Sequence, residues 1–301
     1  MSNYDIVHAR FRSLVLGSAA PELLFDGGRW LEGPLWLADS EQLLFSDIPN
    51  DRVMRWVPGL GAAPMRTTAV GAFENGRTRD LEGRVIACEH GGRRLVRTEL
   101  DGSRTVLCNS HGGRRLNSPN DVVVKRDGSV WFTDPDYGIL TDYEGFRAPR
   151  EQAACHVFRL APGASEPETV VSDMVKPNGL AFSPDESLLY VADSGGSHAA
   201  DRKPHHIRRF EVHIDGTLSD AGVLAEVAPG LPDGIAVDEH GHVWTSAGDG
   251  VHCLDADGNL LGRIRLPQPV SNLCFGGPAR NRLFITATSA LYAIYVGVRS
   301  A

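Results

Sequence analysis

Short apolar runs divided by turns fill this chain, and none has the length or the 3.6-residue periodicity of a helix. The clearest case is Lys176 to Ser194, KPNGLAFSPDESLLYVADS. Leu180-Ala181-Phe182 and Leu188-Leu189-Tyr190-Val191-Ala192 flank Ser183-Pro184-Asp185-Glu186, two strand-like runs joined by a turn, which predicts a β-hairpin. A hairpin brings the start of its first strand beside the end of its second. Asn178 and Asp193 are therefore expected as neighbours, a polar pair at one edge of an apolar hairpin.

The same grammar recurs five more times. The other openings are Glu32-Gly33-Pro34, Asn75-Gly76, Asn120-Asp121, Asp233-Gly234 and Asn272, each followed by an apolar run, a turn and a second run. The openings at 32, 75, 120, 178, 233 and 272 lie 43, 45, 58, 55 and 39 residues apart. Repeats of about 40–50 residues holding several strands mark a β-propeller. Further runs such as Arg94–Arg97 and Arg104–Leu107 raise the count to about four strands per repeat. The prediction is an all-β, six-bladed β-propeller with four antiparallel strands per blade.

The sixth repeat shows only three strand candidates, the last being Leu291–Val296, and Glu22-Leu23-Leu24-Phe25 precedes the first. That N-terminal strand is expected to close the ring, which removes exposed sheet edges. Residues 1–301 are read as a single propeller domain, with 1–20 as an N-terminal extension. Two inserts, 139–154 and 195–206, account for the long intervals. Both follow a second strand, so both should emerge on the face that carries the openings and wall a central pocket.

Composition narrows the function. An apolar content of 42% suffices for a packed core, and 33 Gly with 18 Pro suit many tight turns. A net charge of −8 argues against nucleic acid and anionic membranes as partners. The five Cys have no paired spacing and read as buried thiols. No basic-then-apolar leader opens the chain, and no run nears the ~20 residues of a membrane span. A cytoplasmic protein, monomeric or a small homo-oligomer, is expected.

The six openings would form a ring at one end of the central channel: Glu32, Asn75, Asn120, Asn178, Asp233 and Asn272. Two carboxylates among amide oxygens repel each other unless a cation joins them. Hard oxygen donors of this kind suit Ca²⁺, or less well Mg²⁺ or Mn²⁺. Asn-Gly and Asp-Gly also open strands simply as turns, an explanation with weight at Asn75 and Asn272. Glu32 has no turn preference and lies among Trp30, Leu31, Pro34 and Leu35, where an unpaired carboxylate is costly.

WLEGPLW, RLNSPNDVVVKRDGSVWFTDPDYGI, KPNGLAFSPDESLLYVADS and LPDGIAVDEHGHVW resemble the senescence-marker protein/gluconolactonase/luciferin-regenerating-enzyme family, most closely its bacterial gluconolactonases, over Phe25 to Thr288. The resemblance implies a six-bladed propeller holding a divalent cation, commonly Ca²⁺ but also Mg²⁺, Mn²⁺ or Zn²⁺, and hydrolysis of sugar lactones of the glucono-1,5-lactone type. By motif it implies Glu32, Asn178, Asp233 and Asn120 as metal ligands, with Asn120 facing substrate in some branches, and Asp233 as the catalytic carboxylate. Where the animal enzymes place a sugar-holding Arg, this chain has Ser118. Substrate contacts are therefore sought at Asn117, Asp136, Tyr137, His90 and Asp193, and in the two inserts. Two alternatives remain: a phosphotriesterase-like hydrolase on the same cation, and a non-catalytic cation-binding scaffold.

Overall fold

A computed structural model describes residues 3–65, 70–198, 201 and 203–301. Six small antiparallel sheets stand in a ring as a six-bladed β-propeller. From axis to rim, blade 1 runs Leu31–Leu37, Gln42–Asp47, Arg52–Val57 and Gly61–Pro64. Blade 2 follows with inner strand Glu74–Arg79, blade 3 with Val122–Val124, blade 4 with Pro177–Phe182, blade 5 with Ile235–Val237 and blade 6 with Asn272–Gly276. Consecutive inner strands touch, and the sixth touches the first. Glu22–Asp26 pairs antiparallel with Ala290–Tyr295 as the outer strand of blade 6, so the ring closes as the sequence pattern predicts.

Aromatic residues that recur within the repeats bridge neighbouring blades. Trp36 of blade 1 stacks on Phe284 of blade 6 with centroids 5.3 Å apart. Trp131 of blade 3 meets Phe182 of blade 4 edge-on at 5.6 Å, and Trp244 of blade 5 meets Phe275 of blade 6 at 6.1 Å. Such pairs add to the area they bury and fix the angle between sheets. Four of the five cysteines are buried and none is disulfide-bonded.

Residues 3–20 do more than extend the chain. Tyr4–Ile6 pairs with Leu260–Arg265 as a fifth strand of blade 5. A one-turn helix, Phe11–Leu14, then seats a fully buried Phe11 against Trp244, ring centroids 6.1 Å apart. Gly262 makes room for it, since a Cβ there would lie 2.2 Å from the Phe11 ring. Phe11→Ala should therefore destabilise the fold by about 3–5 kcal/mol, the range for deleting a buried aromatic ring. A urea midpoint unchanged by this substitution would show that the segment is not part of the core.

In blades 1, 2 and 4 the site-bearing end of the inner strand is irregular. Register shifts interrupt the inner hairpins between Glu32 and Leu35, Glu74 and Arg77, and Pro177 and Leu180. A bulge inserts an unpaired residue and re-aims its side chain. Next to the opening residue, Gly179 lies against the following blade, where a Cβ would meet the Asp233 carbonyl oxygen at 2.1 Å. Its N–H donates to that same oxygen at 3.0 Å. Gly33, at φ +50, also lies against the next blade, where a Cβ would meet the Asn75 carbonyl oxygen at 2.3 Å. These glycines let the inner strands converge closely enough for their polar residues to share one space.

Candidate active site

That space is a cavity of about 460 Å³ at one end of the channel. Glu32, Asn75, Asn120, Asn178 and Asp233 line it, five of the six openings. Leu140, Leu231, Pro269 and Val270 form an apolar side, and both inserts contribute, through Tyr137 to Glu144 and through Ser194 to His198. Positions 199, 200 and 202 of the second insert lie outside the described residues.

Glu32 is buried at the bulge of Leu31–Leu37. Its Oε2 accepts from the Gly33 N–H at 2.9 Å and from Asn272 Nδ2 at 3.1 Å. Burial pushes the Glu32 carboxyl up to about 8 despite these bonds, with Asp121 and Glu144 adding repulsion. Asp233 is raised well above the carboxylate range, first by burial and then by the charge of Glu32, whose carboxyl lies within hydrogen-bonding reach. Its own N–H is held by Ser246 Oγ at 2.7 Å, which anchors the loop between blades 4 and 5. Two carboxyls so placed share a proton unless a cation takes its place.

Two of the asparagines have their amide nitrogens engaged. Asn178 Nδ2 donates to Ser194 Oγ at 3.2 Å, and Ser194 Oγ donates to the Pro232 carbonyl at 2.6 Å, next to Asp233. Asn75 Nδ2 donates to His90 Nε2 at 3.2 Å, and its buried Oδ1 has no partner. An orphaned amide oxygen beside two mutually repelling carboxyls, on a wall without Lys or Arg, fits a hard divalent cation. Among the described residues no three His, Cys, Asp or Glu converge on their own, so asparagine oxygens would have to complete such a site.

Asn272 departs from the predicted ring. Its Nδ2 positions Glu32 and its Oδ1 accepts from the Leu273 N–H at 2.7 Å, so both ends of the amide are engaged behind the cavity wall.

Of the residues proposed for substrate contact, only Tyr137 reaches the cavity. Asn117 is fully buried, its Nδ2 bonded to the carbonyls of Asp134 and Ala154 at 3.0 Å each, where it ties down the end of the first insert. Asp136 is ion-paired to Lys176, whose ammonium also lies 5.0 Å from the Tyr137 ring centroid. Asp193, opposite Pro177 in the hairpin, accepts from the N–H groups of Val175, Lys176 and Gly195 at 2.9, 2.9 and 3.1 Å. His90 is buried behind Asn75, and burial pulls its imidazole down to about 4. These four hold loops and ring residues in place. Tyr143 and Glu144 reach the cavity wall from the first insert, where contacts are expected from its length, and Ser194, which no sequence signal singles out, joins them.

Fold and site together define a propeller with an acidic, amide-rich hub. The pattern of the SMP-30/Gluconolactonase/LRE-like region family matches residues 30–289, and the chain belongs to this family. It is 31% identical over 289 residues to a gluconolactonase of Zymomonas mobilis, covering 89% of this chain and 78% of that protein. It is 29% identical over 267 residues to a pentonolactonase of Haloferax volcanii, covering 85% and 80%. Among solved structures, a gluconolactonase from Xanthomonas campestris superposes with a TM-score of 0.89 at 39% identity, covering 97% of this chain and 94% of that one.

Proposed function

We propose that this protein is a cation-dependent lactonase that hydrolyses sugar lactones of the glucono-1,5-lactone type. The observation that carries the reading is the buried Glu32–Asp233 pair facing asparagine oxygens inside a cavity sized for a small ligand. Lactonase relatives that align over most of their length support it. Glu32, Asn178, Asp233 and Asn120 would hold the cation, with Asn75 Oδ1 as a further donor; Ca²⁺ suits this all-oxygen set best. When bound, such a cation polarises the lactone carbonyl and offsets the negative charge that develops on its oxygen.

The residues of the chain do the rest. Asp233 accepts a proton from the attacking water as a new C–O bond forms at the carbonyl carbon. The bond from that carbon to the ring oxygen then breaks, and the Asp233 carboxyl returns the proton to the departing oxygen. One water is consumed and an open-chain hydroxy acid is released. Glu32, fixed by Gly33 and Asn272, supplies negative charge opposite Asp233. Tyr137 and Leu140 line the cavity, and their apolar surface would limit water around the reacting molecule.

Purified protein assayed with Ca²⁺ should hydrolyse D-glucono-1,5-lactone well above the spontaneous rate and show little activity on a fluorophosphate. The reverse preference would assign it to phosphotriester chemistry on the same residues, and inactivity on both would leave a binding scaffold.

A further inference from the structure

We infer that Glu144, carried on the first insert, is a substrate-binding residue that selects hydroxylated lactones by accepting hydrogen bonds from their ring hydroxyls. The inference rests on the lactonase reading above. Glu144 lies on the cavity wall with Glu32 and Asp233, and its charge is felt by both. Its carboxyl, half-buried at the cavity, is lifted to about 7 by that burial, and no donor among the described residues bonds to it. A carboxylate that faces the cavity without a donor of its own is open to one supplied by a ligand. Glu32, by contrast, has Gly33 and Asn272. Vicinal hydroxyls of a sugar lactone are donors of the right kind, and a carboxylate can take two at once.

The backbone that presents Glu144 is fixed. His90, neutral in its buried site, donates from Nδ1 to the Glu144 carbonyl at 3.1 Å while its Nε2 accepts from Asn75, so one imidazole joins the insert to the ring. On the far side, Phe146 packs edge-on against Phe73 with centroids 5.3 Å apart. Gly145 lies so close to Gly138 that a Cβ would meet its carbonyl oxygen at 2.2 Å. The loop closes back on its own stem through Ala148 N–H to the Ile139 carbonyl at 3.1 Å. A carboxylate held this way selects its ligand without first being ordered. Sites built to bond a substrate hydroxyl strongly reject analogues that lack it, because their own polar group is then left unpaired.

The test compares kcat/KM on D-glucono-1,5-lactone and on δ-valerolactone, which has no hydroxyls, for the wild-type protein, Glu144→Ala and Glu144→Gln, with Ca²⁺ binding measured by calorimetry. In Glu144→Ala the preference for the hydroxylated lactone should fall about 10–100-fold, the worth of hydrogen bonds to a charged group. The fall should appear mainly as a higher KM, and Glu144→Gln should recover part of it. An unchanged preference ratio overturns the assignment. So does a loss of Ca²⁺ binding in Glu144→Gln, which would make this residue a cation ligand. A wild-type protein inactive on both lactones would instead overturn the lactonase reading itself.

Discussion

Asp233→Asn should lower kcat for D-glucono-1,5-lactone by about 10²–10⁴-fold, the usual contribution of a positioned general acid–base. The amide keeps the size of the side chain and one oxygen toward the ring but cannot accept and return a proton. The Asp233 N–H to Ser246 bond and the Gly179 N–H to Asp233 carbonyl bond are made by backbone, so the fold should survive the change. The assay must run in mildly acidic buffer, where the lactone opens slowly by itself. Wild-type turnover in Asp233→Asn would transfer the proton step to another group, and Glu32 would be the first to examine. A variant inactive only because it no longer retains Ca²⁺ would be recognised by calorimetry.

The second large effect concerns cation removal and pH. Glu32 changes from 4.5 when unfolded to about 8 in the cation-free fold, with burial as the main cause. Asp121 and Glu144, each lifted to about 7, and Asp233 move the same way. Between pH 4.5 and 8 the native state retains protons that the unfolded chain releases, so cation-free stability falls as pH rises. The loss from Glu32 alone is on the order of 3–5 kcal/mol, at about 1.4 kcal/mol per pKa unit. The buried His90, pulled down to about 4, works the other way below pH 6.5, so the comparison belongs above that value. A chelated sample should melt at a lower temperature at pH 8.5 than at pH 6.5. Saturating Ca²⁺ should reverse the trend, because binding to ionised carboxylates stabilises only the folded state, by about 2.7 kcal/mol at a hundredfold excess over Kd. Calorimetric scans at four pH values, with EDTA and with Ca²⁺, measure this directly. A chelated protein whose melting point is flat or rising across the range contradicts a buried, cation-seeking carboxylate pair.

The relation of sequence to site differs from residue to residue. Glu32 was conspicuous because a carboxylate in an apolar frame has no local explanation, and the fold gives it a buried place in the cavity. Asn75, Asn120, Asn178 and Asp233 followed from their common place at the head of each repeat. Asn272 holds the same place, yet its amide turns to Glu32 and to its own strand. Nothing in the local pattern distinguishes a side chain aimed along the axis from one aimed at its neighbour. Strand ends must satisfy loose backbone groups of the loops that follow, and Asn117 and Asp193 do that work, while Asp136 pairs with the Lys176 ammonium.

The sequence by itself determined the number of blades, the strand that closes the ring and the residue types at its hub. Alternating apolar runs and turns encode hairpins, and a repeated hairpin that cannot bury its faces alone must stack on its copies. Tertiary structure alone decided which hub residues share the cavity and that Glu144 reaches it. Both depend on contacts between residues far apart in the chain: His90 with Glu144, Phe73 with Phe146, Asn272 with Glu32. Periodicity reports what a strand does locally. The path of an insert is set by the surfaces it meets after the blades have formed, and those surfaces are written in no single segment.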